Sequence, residues 1–210
     1  MRGAKMTQRG LLFVLSGPSG VGKGTICKSL IKRNPDLRLS VSCTTRKCRP
    51  GEIEGVHYYF KTREQFEEMI KNKELIEYVK VFGADYYGTP REFVERELID
   101  GHDMILEIDV NGALRVKETY PEAILVFIAP PSINEARRRL LRRGTEAPEA
   151  VEKRLNTAIK EMTAAPSYDY VVVNETLCKA VDNVEAIIKA ERSRADRCGN
   201  AINFNQEGVN

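Results

Sequence analysis

Residues 11–25 read LLFVLSGPSGVGKGT, a wholly apolar run that breaks within ten residues into four glycines, one lysine and a threonine. The first half has the length and continuity of a strand buried on both faces. The second half fits the spacing GxxxxGK and precedes a helical pattern over 25–33. That strand–loop–helix context marks a phosphate-binding loop, here Gly17, Pro18, Ser19, Gly20, Val21 and Gly22, followed by Lys23. Glycines 17, 20 and 22 let successive N–H groups turn inward with no side chain in the way. A helix starting near Lys23 aims the positive end of its dipole at the same point, and the lysine can reach the outer phosphates. The spacing GxGxxG cannot be read through 17–22, which disfavours a dinucleotide site. One departure stands out: Gly24 occupies the position where the general motif carries Ser or Thr, so a hydroxyl for Mg²⁺ would have to come from Thr25.

Working outward, three more apolar runs read as buried strands: MILEIDV (104–110), ILVFIAPP (124–131) and YVVVN (170–174). Helical patterns over 90–100 and 178–195 alternate with them, so the expected fold is α/β, a parallel sheet flanked by helices. Residues 9–41, 93–132 and 161–195 make up that core. The polar interval 42–92, with short pieces such as VHYYF and LIEYVKVF, is expected to be an inserted β-rich lobe. Residues 133–160 are basic and helical, broken near Gly144, as in a mobile helical hairpin. Residues 196–210 read as a frayed polar tail.

With 210 residues, 42% hydrophobic and 30% charged, the chain can bury a sizeable core. Its net charge of +3 excludes bulk polyanion binding, so functional positive charge must be local. Five cysteines (27, 43, 48, 178, 198) form no CxxC pair, and two histidines make a zinc cluster improbable. Leu11–Leu15 is too short for a signal-peptide core, and no stretch has membrane-spanning length. These features predict a soluble cytoplasmic protein with no nucleic-acid, membrane or obligate protein partner.

Two more stretches carry chemistry. LEID (106–109) sets Glu107 and Asp109 at a strand's end, where ligands of open α/β sheets bind and where a carboxylate can hold Mg²⁺ or its waters. The segment SVSCTTRKCRPGEIEGVHYYF (40–60) brings Arg46, Arg49 and Tyr58 together, and two guanidinium forks beside a phenol suit a second phosphate. ELIEYVKVFGADYYGT (74–89) adds Glu77, Tyr87 and Thr89 in the same lobe.

With these motifs the chain resembles the guanylate kinases, which phosphorylate GMP with ATP. The likeness runs from about residue 10 to 190 through SGPSGVGKGT, TTRKCRPGE, DYYGT, LEIDVNGA, FIAPPS, RGTE and VVVN. The resemblance implies a P-loop core, a GMP-binding lobe and a helical lid. It implies that Ser42, Glu77 and Thr89 contact guanine with Glu107 close by, and that Arg46, Arg49, Tyr58 and Tyr87 hold the GMP phosphate. Arg139, Arg143 and Arg154 match lid arginines that close on the ATP phosphates, and Asn174 matches a position near adenine. Mg²⁺ would accompany ATP, through Thr25 and Asp109 and mostly by way of water. Departures are an extra residue within VFGADYYGT, Cys48 where proline is common, and ET after Asn174 where an acidic pair is common. The rivals are a P-loop kinase for another small phosphorylated acceptor and a non-catalytic protein-binding module of the same fold. The second has no need for Lys23, a full glycine cradle or a basic lid.

Overall fold

The computed structural model describes residues 8–81, 85–142 and 148–198. Its centre is a five-stranded parallel sheet in the order β2-β7-β1-β8-β9. The strands are β1 (Leu12–Ser16), β2 (Arg38–Leu39), β7 (Met104–Glu107), β8 (Ile124–Ala129) and β9 (Tyr170–Val173). Every residue of β1 is buried, because helices cover both faces of the sheet. Phe13 and Leu15 meet Ile26 and Leu30 of α1 (Lys23–Arg33) and Val181, Val184 and Ile188 of α7 (Leu177–Arg192). Leu12 and Val14 face the other way, onto Val94 and Leu98 of α3 (Arg91–Ile99) and Ala113 and Val116 of α4 (Val110–Thr119). Each fully buried side chain of this size stabilises the sandwich by about 1.5–3 kcal/mol.

The interval read as a lobe forms a separate four-stranded sheet, β4-β3-β6-β5. It comprises β3 (Cys43–Thr44), β4 (Tyr59–Phe60), β5 (Leu75–Val81) and β6 (Asp85–Pro90), with α2 (Arg63–Lys71) packed on it through Phe66. The extra residue expected within VFGADYYGT falls in a segment whose residues 82–84 lie outside the described ones. Helix α2 starts at a capping box, Thr62 with Gln65, a T-x-x-Q signal that the polar reading of this interval passed over. The basic interval forms α5 (Ile133–Arg142) and α6 (Pro148–Met162), packed on each other; Gly144 lies outside the described residues. The boundary expected at 160/161 falls inside α6, two residues before its end. A short turn of helix, α8, covers Ala195–Cys198, and the expected tail beyond it lies outside the described residues.

MILEIDV is a strand only as far as Glu107. Asp109 has extended backbone, and its side chain accepts from the Gly112 N–H at 2.7 Å, which caps α4 and makes Val110 helical. The apolar run therefore spans a strand end, a turn and a helix start. Among the described residues no helix is long and apolar enough to cross a membrane.

Candidate active site

The loop after β1 is built by close backbone approach. Gly17 has φ of 140°, and a Cβ there would sit 2.2 Å from the Ile128 carbonyl oxygen of β8. Gly22 is the N-cap of α1 with φ of 98°, a conformation that side-chain-bearing residues rarely adopt, and a Cβ there would crowd Asn174 Nδ2 at 2.9 Å. No side chain caps α1, and its first turn holds no acid, so its free N–H groups remain for an anion. Lys23 Nζ donates to the carbonyls of Gly17 at 2.6 Å and Pro18 at 3.2 Å, drawing the loop around its own ammonium. Burial lowers the lysine's pKa, against the opposing charges of Glu107, Glu161 and Asp109.

Beside this loop opens a cleft of about 540 Å³. One wall carries Gly17, Ser19, Lys23, Glu107 and Asp109; the facing wall, from the lobe, carries Ser42, Tyr58, Glu77 and Tyr87. The two halves of the expected site thus share one cavity. Glu77 is 5% exposed, and its Oε1 accepts from the Thr89 hydroxyl at 2.8 Å. Its other oxygen lies over the first turn of α4, where a Cβ on Gly112 would come within 2.8 Å of it. Burial pushes the Glu77 carboxyl up to about 7, with the Thr89 hydrogen bond pulling the other way. Burial also raises Glu107, against Lys23 and Lys28.

Arg46 is braced by Glu52, Tyr87 and Tyr58. Its Nη1 and Nη2 donate to Glu52 at 2.8 Å each, its Nε to the Tyr87 hydroxyl at 3.1 Å, and its guanidinium lies 5.2 Å from the Tyr58 ring centre. Arg49 is exposed, and its backbone N–H donates to Glu52 at 2.8 Å. The Arg46 hydrogen bond holds Glu52 at about 2, well below the usual carboxylate range.

Not every expected residue reaches the cavity. Thr25 is exposed and off its wall. A Cβ on Gly24 would lie 3.2 Å from Glu107 Oε1, so that carboxylate crowds the place where the motif's usual hydroxyl would start. Asn174 is buried, and its amide donates to the Val21 carbonyl at 2.8 Å, bracing the phosphate loop. Arg139 docks beside it, donating to the Asn174 carbonyl at 2.9 Å and to the loop's Val21 carbonyl at 3.4 Å while paired with Glu135 at 2.8 Å. Arg143, and the side chain of Arg154, lie outside the described residues. Sequence reasoning passed over Lys80, Asn111, Thr157 and Glu161, all on the cavity wall. Thr157 and Glu161 are one helical turn apart on α6, a spacing that could have flagged them.

A phosphate loop at the sheet's C-terminal edge, facing a lobe with its own cation and carboxylate, defines a P-loop kinase acting on small phosphorylated acceptors. A model of the guanylate kinase family matches residues 9–191. The chain belongs to that family, and its activity is that of an ATP:GMP phosphotransferase. It is 50% identical over 190 residues to the guanylate kinase of Caldanaerobacter subterraneus subsp. tengcongensis, covering 90% of this chain and 92% of the relative. To that of Carboxydothermus hydrogenoformans it is 51% identical over 189 residues, covering 90% and 92%. The crystal structure of guanylate kinase from Anaplasma phagocytophilum superposes with a TM-score of 0.76 at 35% identity, covering 91% of this chain and 90% of that one.

Proposed function

We propose that the two walls of the cleft divide the reaction between them. The phosphate loop and Lys23 hold the phosphates of ATP, while Arg46, Arg49, Tyr58 and Tyr87 hold the phosphate of GMP. Glu77, Thr89 and Ser42, with Glu107 nearby, read guanine. One observation carries this reading: Lys23 and Glu77, far apart in sequence, line a single cavity of about 540 Å³. The GMP phosphate is already ionised at neutral pH, so no strong general base is needed, and rate comes from alignment and charge neutralisation. Arg139, Arg143 and Arg154, carried on α5 and α6 and the segment between them, close over the phosphates and exclude water.

Family membership implies Mg²⁺ with ATP. The donors beside Lys23 fit a hard divalent cation: Glu107 and Asp109 offer carboxylate oxygens, and Asp109 spends Oδ1 on the Gly112 N–H. Among the described residues no three acidic, histidine or cysteine side chains cluster as a cage, which suits an ion held largely by phosphate and water. When bound it neutralises phosphate charge, and of the two expected ligands Asp109 is favoured over the exposed Thr25. The four free cysteines described, Cys27, Cys43, Cys48 and Cys178, support placement in the reducing cytoplasm.

Guanine presents N1–H and the exocyclic N2 amine as adjacent donors, and the ionised Glu77 carboxylate offers acceptors to match. Adenine has an acceptor at N1 and no amine at C2. The test is kcat/KM for GMP, IMP and AMP in wild type and Glu77→Ala. The expected order is GMP, IMP, AMP, with Glu77→Ala losing roughly 10–1,000-fold on GMP. Equal use of AMP and GMP by the wild type, or full discrimination by the variant, removes Glu77 from this role.

A further inference from the structure

Arg46 has five N–H donors, and their partners divide by edge. The end-on edge, Nη1 and Nη2, is taken by the two oxygens of Glu52 at 2.8 Å each. The outer Nη1 hydrogen goes to the Lys47 carbonyl at 2.7 Å. The edge left is the side-on one: Nε, on the hydroxyl of the cavity-lining Tyr87 at 3.1 Å, and the remaining hydrogen of Nη2 beside it. Tyr87 and Tyr58 both line the cavity, and the Tyr58 ring packs against the guanidinium plane, 5.2 Å from its carbon. Glu52 is itself pinned, because its Oε2 also accepts from the Arg49 N–H at 2.8 Å across the tight turn at Gly51. The side chains of Arg46 and Glu52 are only 11% and 17% exposed, so the pair is no solvated surface bridge.

We propose that Glu52 is a positioning residue for the acceptor. By holding the end-on fork of Arg46, it presents the side-on fork, with Tyr87 and Tyr58, to the phosphate of the incoming nucleotide. A guanidinium can bind a phosphate in two-point fashion along either edge. With one edge filled by a fixed carboxylate, the other has a single orientation and loses little freedom on binding. Glu52 touches no substrate; it acts through Arg46, and the inference rests on the reading that Arg46 holds the GMP phosphate.

The experiment compares Glu52→Gln, Arg46→Ala and the double variant, measuring KM for GMP and ATP and the inhibition constant of guanosine, which has the base but no phosphate. Glu52→Gln is expected to raise KM for GMP roughly tenfold or more, leaving KM for ATP and guanosine inhibition within about twofold of wild type. In the Arg46→Ala background it should add less than about twofold. Unchanged or tighter GMP binding in Glu52→Gln overturns the proposal, the tighter case making Glu52 a competitor of the phosphate. Equal weakening of GMP and guanosine also overturns it, reducing Glu52 to support of the lobe. If Glu52→Gln does not fold, Glu52→Asp, which keeps the charge and shortens the reach, is judged by the same ratio of GMP to guanosine. Arg46→Ala with normal GMP binding would instead sink the underlying assignment of Arg46, so the two failures are distinct.

Discussion

The hydroxyl of Thr89 donates to Oε1 of Glu77 at 2.8 Å, and both residues are buried. The bond fixes one carboxylate oxygen, while burial pushes the group up to about 7. An empty site near neutral pH is therefore a mixture of protonated and ionised forms. Guanine offers donors, which only the ionised form accepts with both oxygens. As pH falls from 8 to 6, apparent affinity for GMP should drop about tenfold from Glu77 alone. The GMP phosphate titrates near pH 6 as well, so the measurement is the ratio of wild type to Glu77→Gln. Glu77→Gln should bind weakly, with only the phosphate's own pH dependence. A ratio constant across pH 6–8 contradicts the assignment.

The same shift has a stability consequence of opposite benefit. The Glu77 carboxyl is raised from 4.5 to about 7 in the folded protein, so the native state binds the extra proton between those values. The stability contributed by Glu77 is then fully present below pH 4.5 and falls as pH rises through 7, by up to about 3 kcal/mol. Glu77→Gln removes the charge but keeps an acceptor for Thr89. Without nucleotide, it should be more stable than wild type at pH 8 by as much as about 3 kcal/mol, and close to it near pH 4.5. Urea unfolding at the two pH values reads this directly; equal stability at pH 8 would mean the buried charge costs nothing.

The sheet was readable because β1 and β8 are buried on both faces, and an apolar run has no other use at that length. The α4 start was not, since Val110 continues the apolar run of β7 and only the turn of Asp109 onto the Gly112 N–H ends it. Glu77, Arg46 and Lys23 emerged from local motifs and the family resemblance. Glu161 reaches the cleft from the last turn of α6, a helix otherwise read as lid, where an acid beside Lys160 looks like part of a solvated face. Gly112 has its reason only in three dimensions, as the space Glu77 needs. Asn174, expected near adenine, also donates its amide to the Val21 carbonyl of the phosphate loop, a contact that no local motif shows. Contacts between distant segments leave no periodicity to read.

Lys23 separates rate from acceptor binding. Its ammonium holds the carbonyls of Gly17 and Pro18 and lies on the wall of the cleft shared with Glu77. Lys23→Met keeps the length and loses the charge. Loss of a charge-assisted hydrogen bond, about 1.5–3 kcal/mol, predicts a fall in kcat of roughly 10–100-fold or more, with affinity for GMP nearly unchanged. Steady-state kinetics with GMP titration checks this, alongside a melting curve to show that the variant is folded. Normal turnover by folded Lys23→Met would mean the loop does not handle the transferred phosphoryl group.

The last prediction concerns the basic helical pair. Arg139 of α5 already touches the phosphate loop through the Val21 carbonyl and the segment after β9 through the Asn174 carbonyl, and is steadied by Glu135. If the loop holds ATP as proposed, that contact would tie the position of α5 to nucleotide in the loop. Hydrogen bonds from Arg138 and Arg139 hold Glu135 at about 2, so it stays ionised across the working pH range. Closure should require both substrates, because one supplies the phosphates that arginines can reach and the other brings the lobe wall inward. Amide hydrogen exchange over 133–160 should therefore slow most with GMP and a non-hydrolysable ATP analogue together, and less with either alone. Arg139→Ala should lower kcat roughly tenfold or more and weaken the slowing seen with both. A surface helix carrying solvated charge predicts neither effect. Exchange that ignores nucleotide, together with full activity in Arg139→Ala, would leave α5 and α6 as surface helices and nothing more.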